Sequence, residues 1–391
     1  MSVRVITDES GFRELQPRWG ELFLSNPAHG PYQSWQWNFT WWRHFGRDGD
    51  LRLILVEDGD RLLGIAPLQL VRRFVGIPLR HLRFLAHKRT DYTDFVVRAG
   101  SEPAFFNQML THWRTTNDSR FIEVRDLPES SPNRRYLEEQ SARAGLALRA
   151  QPGEACVTVM LAPSFEEFSQ ALSKRFRKDI AYYQRSFERS FAADFRAVSA
   201  PGEIRDALQD LVAVYNARWR AEHGSTQFDD PAAGRFELEL GTALAAAGLY
   251  KLYLLYADRK PVAGILAYVL NNRCYVERFA HSPDLHKYSV GTVLLAMTIR
   301  DGIAQGWTEL DLMRGVEPYK SRWNGQTRCT ALIRISRNAG TRRALAWIDA
   351  VYRQAVHVKS RLQTRRRAGA PETPATNEPA PPRESGAGSR S

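Results

Sequence analysis

Small residues lead straight into an apolar helix at Tyr288-Ser289-Val290-Gly291-Thr292, just ahead of LLAMTI. Such a loop lets backbone N–H groups approach and hydrogen-bond phosphate oxygens, and the positive end of the helix dipole favours the same negative charge. The alternative for Gly291 is an ordinary glycine at a helix start. Two carboxylates flank the loop in sequence. Glu277 lies on the apolar strand RCYVERFA (273–280) before it, and Asp311 on TELDLM (308–313) after it. A carboxylate within an apolar strand is costly to bury without a partner. Asp311 therefore either pairs with Lys320 or orients a substrate, and Lys320 either holds a substrate anion or is a surface charge. Far upstream, Asp91-Tyr92-Thr93-Asp94 sets Asp91 and Asp94 where they either bind an amine or cap a turn. His281 and His286 lie near the loop, but no His, Cys and acid set has metal-ligand spacing, so no metal is expected. Neither a Gly-x-Ser-x-Gly elbow nor a P-loop is present.

These residues need elements to carry them. LRLILVEDGDRLLGIAPLQLV (51–71) reads as a strand, an Asp-Gly turn and a strand, and YKLYLLYADRKPVAGILAYVL (250–270) reads the same way around 258–261. Gly64 and Gly264 hold matching places after each turn. Each hairpin leads to a third strand, HLRFLA (81–86) or RCYVERFA, then to a helix near 103–116 or 290–305. A further strand follows, RFIEVRD (120–126) or TELDLM. The same order of five elements thus occurs twice, about 200 residues apart, and a duplicated α/β fold with mixed sheets is expected. A helical portion opens each half: the aromatic PYQSWQWNFTWWRHF (31–45), read mainly as packing, and the basic SFEEFSQALSKRFRKDIAYYQRSFERSF (164–191). The polar stretch RAQPGEA (149–155) marks the junction, giving domains at 1–152 and 153–336.

The chain of 391 residues suits two cores better than one, and 43% hydrophobic with 25% charged residues describes a globular protein. MSVRVITDESGF has no basic stretch followed by an apolar core, as a secretory signal would. The longest apolar run, Val262 to Leu270, is far short of the ~20 residues of a membrane-spanning helix. Cys156, Cys274 and Cys329 lie far apart without CxxC spacing, which argues against disulfides and zinc and for a cytoplasmic location. The net charge of +12 is concentrated: residues 334–367 hold ten Arg or Lys against the single acid Asp349. Nucleic-acid binding therefore does not follow from net charge. Residues 337–366 read as a basic amphipathic helix that either docks on the second domain or meets, through 340–367, an anionic membrane surface or a partner protein. From 367 to 391, Pro, Ala, Glu, Gly and Ser predominate, and a disordered tail is expected.

The order from RCYVERFA through HSPDLHKYSVGTVLLAMTIRDGIAQG to TELDLMRGVEPYKSRW resembles the GNAT acyltransferases. More closely, it resembles the CelD-type acetyltransferases of cellulose biosynthesis, a double-GNAT group related to the Fem peptidyltransferases. Ser289-Val290-Gly291, the Asp311, Gly315, Tyr319-Lys320 segment and the basic LSKRFRKDI (172–180) carry the resemblance, with Trp41-Trp42 and DYTDFVV (91–97) in the first half. It runs from about residue 5 to 335. It implies a tandem GNAT fold, with acetyl-CoA or another acyl-CoA as co-substrate and its diphosphate on residues 288–292. One departure stands out: in His286-Lys287-Tyr288-Ser289-Val290-Gly291, Ser289 replaces the usual first glycine.

A GNAT brings thioester and nucleophile together in a ternary complex, where positioning and oxyanion stabilisation supply most of the rate. The resemblance makes Tyr319 the general acid for the leaving thiolate, with strand packing as its alternative. Glu277 is the candidate base, against a water-mediated one, and Asp311 is catalytic or part of a structural ion pair. Lys320 would hold an anionic group, and Asp91 and Asp94 would face an acceptor amine. The first half presents Gly100-Ser101-Glu102-Pro103 before its helix, an acid that would repel a diphosphate, so it is expected to shape the acceptor cleft. The acceptor is expected to be a sugar, a polysaccharide precursor or a small amine. The competing readings are a Fem-like transferase drawing on aminoacyl-tRNA, with helix 173–189 on the nucleic-acid backbone, and a non-catalytic scaffold held peripherally at the membrane.

Overall fold

The computed structural model describes residues 1–46, 49–87 and 89–351. Residues 1–342 form one compact unit, and the described residues from 343 to 351 belong to a second. The first half runs β1 (Ser2–Ile6), α1 (Glu9–Glu14), α2 (Gln16–Leu24), α3 (Trp35–Phe45), β2 (Asp50–Asp58), β3 (Arg61–Val71) and β4 (His81–Phe84). It continues with β5 (Val96–Val97), α4 (Glu102–Thr116), β6 (Phe121–Pro128), α5 (Pro132–Arg143) and β7 (Ala147–Met160). The second half runs α6 (Phe165–Gln170), α7 (Lys174–Ser190), β8 (Ala193–Val198), α8 (Ile204–His223), α9 (Pro231–Ala246), β9 (Tyr250–Ala257) and β10 (Lys260–Leu270). It ends with β11 (Arg273–His281), α10 (Val290–Ala304), β12 (Glu309–Arg314), α11 (Pro318–Ser321) and β13 (Gln326–Ser336).

The hairpins form where local chemistry demands them. Gly59 takes a positive φ between β2 and β3, and Asn271 and Asn272 both do so between β10 and β11. Two successive left-handed residues make the turn whose twist matches paired strands. Gly64 and Gly264 serve different helices: a Cβ on Gly64 would fall 2.4 Å from Phe105 of α4, and one on Gly264 would fall 2.5 Å from Leu211 of α8.

All the strands join one sheet in the order β1-β2-β3-β4-β6-β13-β7-β12-β11-β10-β9-β8, with β5 added beside β3. The order repeats itself from both ends. Within each half the third hairpin strand lies parallel to the strand after the helix, β4 beside β6 and β11 beside β12. This is the duplicated GNAT-like arrangement that the five-element repeat predicts. The centre was not legible from the repeat. β7 pairs with β12 of the second half, while β13 pairs with β6 of the first half and with β7. Each half's last strand thus completes the other half's sheet.

The stretch RAQPGEA lies within β7, so the junction at 152/153 is strand backbone hydrogen-bonded to β13. Gly153 is needed there, because a Cβ would come 2.4 Å from the Thr330 hydroxyl on the crossing strand.

One hydrophobic cluster joins the halves. Phe12, Trp19, Trp37 and Trp41 of the aromatic N-terminal helices pack with Leu211 of α8, Phe236 and Leu240 of α9 and Tyr268 of β10. The aromatic run at 31–45 is therefore core between the halves, as its density suggests. Residues 339–351 are helical, and none of the described helices is long and apolar enough to cross a membrane. The remainder of the basic helix expected over 337–366 and the tail expected over 367–391 lie outside the described residues.

Candidate functional site

β11 and β12 pair in parallel only from Arg273–Glu309 to Tyr275–Asp311. Beyond that point they separate. On the β12 side, Met313 has a φ of 61° and the register with β7 slips between Asp311 and Arg314. On the β11 side, the register with β10 passes from Ala267–Val276 to Leu266–Arg278, which leaves Glu277 as the extra residue of a β-bulge. A bulge interrupts the ladder and re-aims its side chain. The diverging strands therefore form a V, and Glu277 lies on β11 two residues past its apex.

Helix α10 enters beside the open end of that V. Its N-cap Ser289 has a φ of 46°, and no side chain caps the helix. No side chain therefore occupies the orphan donors at the start of α10. Gly291 has a second reason to be glycine. A Cβ there would lie 2.8 Å from the His281 ring and 3.2 Å from Phe279, both on β11. Tyr288 packs at 5.2 Å from Phe191 and 6.3 Å from Phe187 at the end of α7, anchoring the loop. Val290 is buried and Thr292 half-buried. Tyr319 sits on α11 with its ring 6.0 Å from that of Phe279, at the same mouth of the V. It is 37% exposed, and partial burial pushes its hydroxyl up to about 12.

The two carboxylates meet partners from the first half. The Tyr32 hydroxyl donates to Glu277 at 2.5 Å, and the Tyr92 hydroxyl donates to Asp311 at 2.8 Å. The two tyrosine rings are 6.2 Å apart, so both carboxylates belong to one constellation. Burial raises Glu277 to about 8, against the opposing pull of the Arg278 guanidinium. Burial also raises Asp311 to about 6, against the hydrogen bonds from Tyr92 and the Met313 amide. Glu277 thus holds a proton near neutral pH, and a small change in surroundings can release it.

Asp91 reaches the same place. It accepts from the Arg314 amide at 3.1 Å and faces the Arg314 guanidinium at 3.3 Å, while that guanidinium also meets Asp126 at 3.3 Å. Asp91 is thereby an ion-pair partner across the halves, where an acceptor amine was expected.

Asp94 is likewise committed. It accepts from the Phe95 amide, Ser131 and Asn133, the capping alternative among the two sequence readings. Lys320 corrects a further expectation. It is 3% exposed and donates to the carbonyls of Met313, Arg314 and Gly315, beside Glu317 at 2.9 Å. Three ammonium donors are spent inside the chain, so Lys320 pairs neither with Asp311 nor with a substrate anion. Its role is to pin the turn that carries β12 away from β11.

A cleft of about 460 Å³ opens between the halves next to this constellation, lined by Tyr32, Tyr92, Tyr275, Asp311, Arg273 and Arg328 among others. In the first half, the matching helix α4 begins at a buried Glu102. A carboxylate there opposes an anion. Among the described residues, no group of three or more His, Cys, Asp or Glu is placed to hold a metal ion.

Sequence reasoning missed Tyr32, Tyr92 and Arg314. Tyr92 sits inside the DYTD motif and Tyr32 inside the aromatic run, so each lay within a noticed segment, hidden by neighbours read as turn or packing.

Comparison with known proteins bears on the domain and the fold. Residues 174–321 match the family described as the acetyltransferase (GNAT) domain, a span from α7 to α11 that contains Glu277, the 288–292 loop, Asp311 and Tyr319. No curated protein matches the chain significantly. Among solved structures, FemX superposes with a TM-score of 0.60 at 11% identity, covering 85% of this chain and 97% of FemX. The C-terminal DUF2156 domain of a protein named as a lysylphosphatidylglycerol synthetase, from Agrobacterium fabrum, superposes with a TM-score of 0.55 at 15% identity, covering 87% and 96%. At such identities the likeness is one of fold. The chain therefore carries a GNAT-type acyltransferase domain at residues 174–321, within a mixed α/β sheet of GNAT-like form.

Proposed function

We propose that the protein transfers an acyl group from acetyl-CoA or another acyl-CoA to an amine or hydroxyl held in the cleft between the halves. The separation of β11 from β12 immediately past Tyr275–Asp311, with Glu277 two residues beyond it in a β-bulge, carries this reading. The diphosphate would lie on the amides opening α10 at Ser289 to Thr292, with the pantetheine arm in the V. Glu277 in its ionised form would take the nucleophile's proton, through or beside Tyr32, as the nucleophile's N or O bonds to the thioester carbonyl carbon. The C–S bond then breaks, and Tyr319 at the mouth of the V would protonate the departing thiolate. Asp311 with Tyr92 would orient the acceptor. A saccharide or polysaccharide-precursor acceptor, as the CelD-type resemblance implies, suits a cleft walled by aromatic rings and hydroxyls.

Calorimetric titration with acetyl-CoA and desulfo-CoA tests the donor. Gly291→Glu is a poor probe, because any side chain there strikes His281 and Phe279. The exposed Lys287 and half-buried Ser289 are better: Lys287→Glu with Ser289→Asp should weaken binding at least tenfold while leaving the melting temperature unchanged. Failure of the unaltered protein to bind either coenzyme A derivative would remove the proposal.

One observation favours a second reading, aminoacyl transfer from tRNA. Lys174, Arg175, Lys178, Arg185 and Arg189 are exposed on α7, with Tyr182 among them, and α7 packs against α10. Such a face attracts a phosphate backbone. tRNA binding that weakens steeply with salt, without any coenzyme A binding, would put this reading first.

A further inference from the structure

The cleft between the halves has two chemically unlike ends. Asp311 stands at one, tied to Tyr92 and to the Met313 amide. At the other, Arg273 on β11 and Arg328 on β13 share the wall. Arg328 is balanced by Glu309, whose carboxylate it meets at 3.1 Å. Arg273 has no carboxylate within ion-pair distance among the described residues; its guanidinium donates to the Pro27 carbonyl at 2.8 Å. A side-chain hydrogen bond also links Arg273 to Tyr275; a guanidinium has five N–H donors, so the two bonds leave part of the fork available at the cleft wall.

The spacing between the ends is fixed by the sheet. Arg273 pairs with Glu309 and Tyr275 with Asp311, so the Arg273 and Asp311 positions stand two residues along and one strand across from each other, roughly 8 Å in all. Tyr275 lies between them, and Tyr32 packs edge-on to it at 6.5 Å between centroids. An amine or hydroxyl reacting at the Asp311 end leaves the far end of a ring-sized molecule beside Arg273.

We infer that the acceptor carries an anionic group, phosphate or carboxylate, bound by Arg273 with Arg328 beside it and one sugar-ring length from the acylated amine or hydroxyl. This inference rests on the acyl-transfer reading above and narrows its acceptor. Planar guanidinium forks bind carboxylate and phosphate through two parallel hydrogen bonds, which supplies both affinity and orientation. An α-amino acid, whose amine and carboxylate share one carbon, is too short for the span. A phosphorylated amino sugar or a uronic acid has the required length.

The test uses the full chain with three probes: glucosamine 6-phosphate, glucuronate and unmodified glucosamine. Dissociation constants are measured by ligand-observed NMR, with and without saturating desulfo-CoA. At least one anionic sugar should bind tenfold or more tightly than glucosamine. Which of the two does so separates phosphate from carboxylate. Arg273→Gln should erase the preference, and Arg273→Lys should retain part of it. The preference should also shrink as salt is raised, a readout on the unaltered protein that stands even if a variant folds poorly. Anionic sugars that bind no better than glucosamine, or a preference untouched by both Arg273→Gln and Arg328→Gln, overturn the inference. Desulfo-CoA binding in the same samples keeps the two ideas apart. Donor binding without anion preference sinks only the acceptor class, and absent donor binding sinks the acyl-transfer reading itself.

Discussion

The Arg278 guanidinium meets Glu237 at 2.9 Å and stands 3.9 Å from Glu277. The nearer carboxylate, on α9 and 1% exposed, holds the cation away from the candidate base. Tyr32, Asp91, Tyr215, Tyr250 and Tyr268 also face this cluster from their own elements. Among these groups Arg278 is the one that favours ionised Glu277 most.

Glu237→Gln should therefore lower the Glu277 pKa from about 8, because it frees Arg278 and removes a repelling charge together. A fall of about one unit corresponds to roughly 1.4 kcal/mol of extra favourable interaction. Carbon-13 NMR titration of labelled glutamate reads it directly, and an activity profile should move its acidic limb to lower pH. A Glu277 resonance that titrates at the same pH in both proteins would refute the shielding role of Glu237.

Stability should carry the same signature. Glu277 is raised in the folded protein above its ordinary value, so its contribution is fully present below about pH 4.5 and is lost as pH rises through about 8. Glu277→Gln removes this term. The variant should gain on the unaltered protein across that window, with a limiting slope of about 1.4 kcal/mol per pH unit. Denaturant melts at pH 5, 7 and 9 measure the difference, and a constant gap between the proteins would contradict the burial argument.

Lys320→Met should destabilise the fold by about 3 kcal/mol, because three carbonyls and Glu317 lose their shared ammonium. Calorimetric melting checks this. A substrate-binding role would instead weaken ligand affinity at unchanged stability, the opposite pattern.

Residues 1–152 expressed alone should not fold to a native-like domain. The fragment lacks β13, whose Ala331, Ile333 and Ile335 belong to the same core cluster as Phe105, Met109 and Val124. It would expose the edge of β6, an unpaired strand template. Poor dispersion in its amide NMR spectrum is expected, and addition of residues 153–342 should restore it. A well-dispersed spectrum from the fragment alone would show that the strand exchange is dispensable.

Much of this protein is determined by the sequence alone, wherever the deciding physics is local. The hairpins follow from residues that tolerate positive φ, such as Gly59, Asn271 and Asn272. The start of α10 follows from small residues ahead of an apolar run, Asp311 stands out because charge in an apolar strand demands a partner, and Glu277 by its place on the strand before the loop. The tertiary structure alone decided who those partners are. Tyr32 and Glu277 are 245 residues apart, and Tyr92 and Asp311 are 219 apart. It also decided that Lys320 turns inward and that β7 and β13 trade places. No periodicity records those choices. A strand pattern fixes which faces are apolar, while the neighbour it takes depends on which edge remains open once both halves have packed on their shared aromatic core.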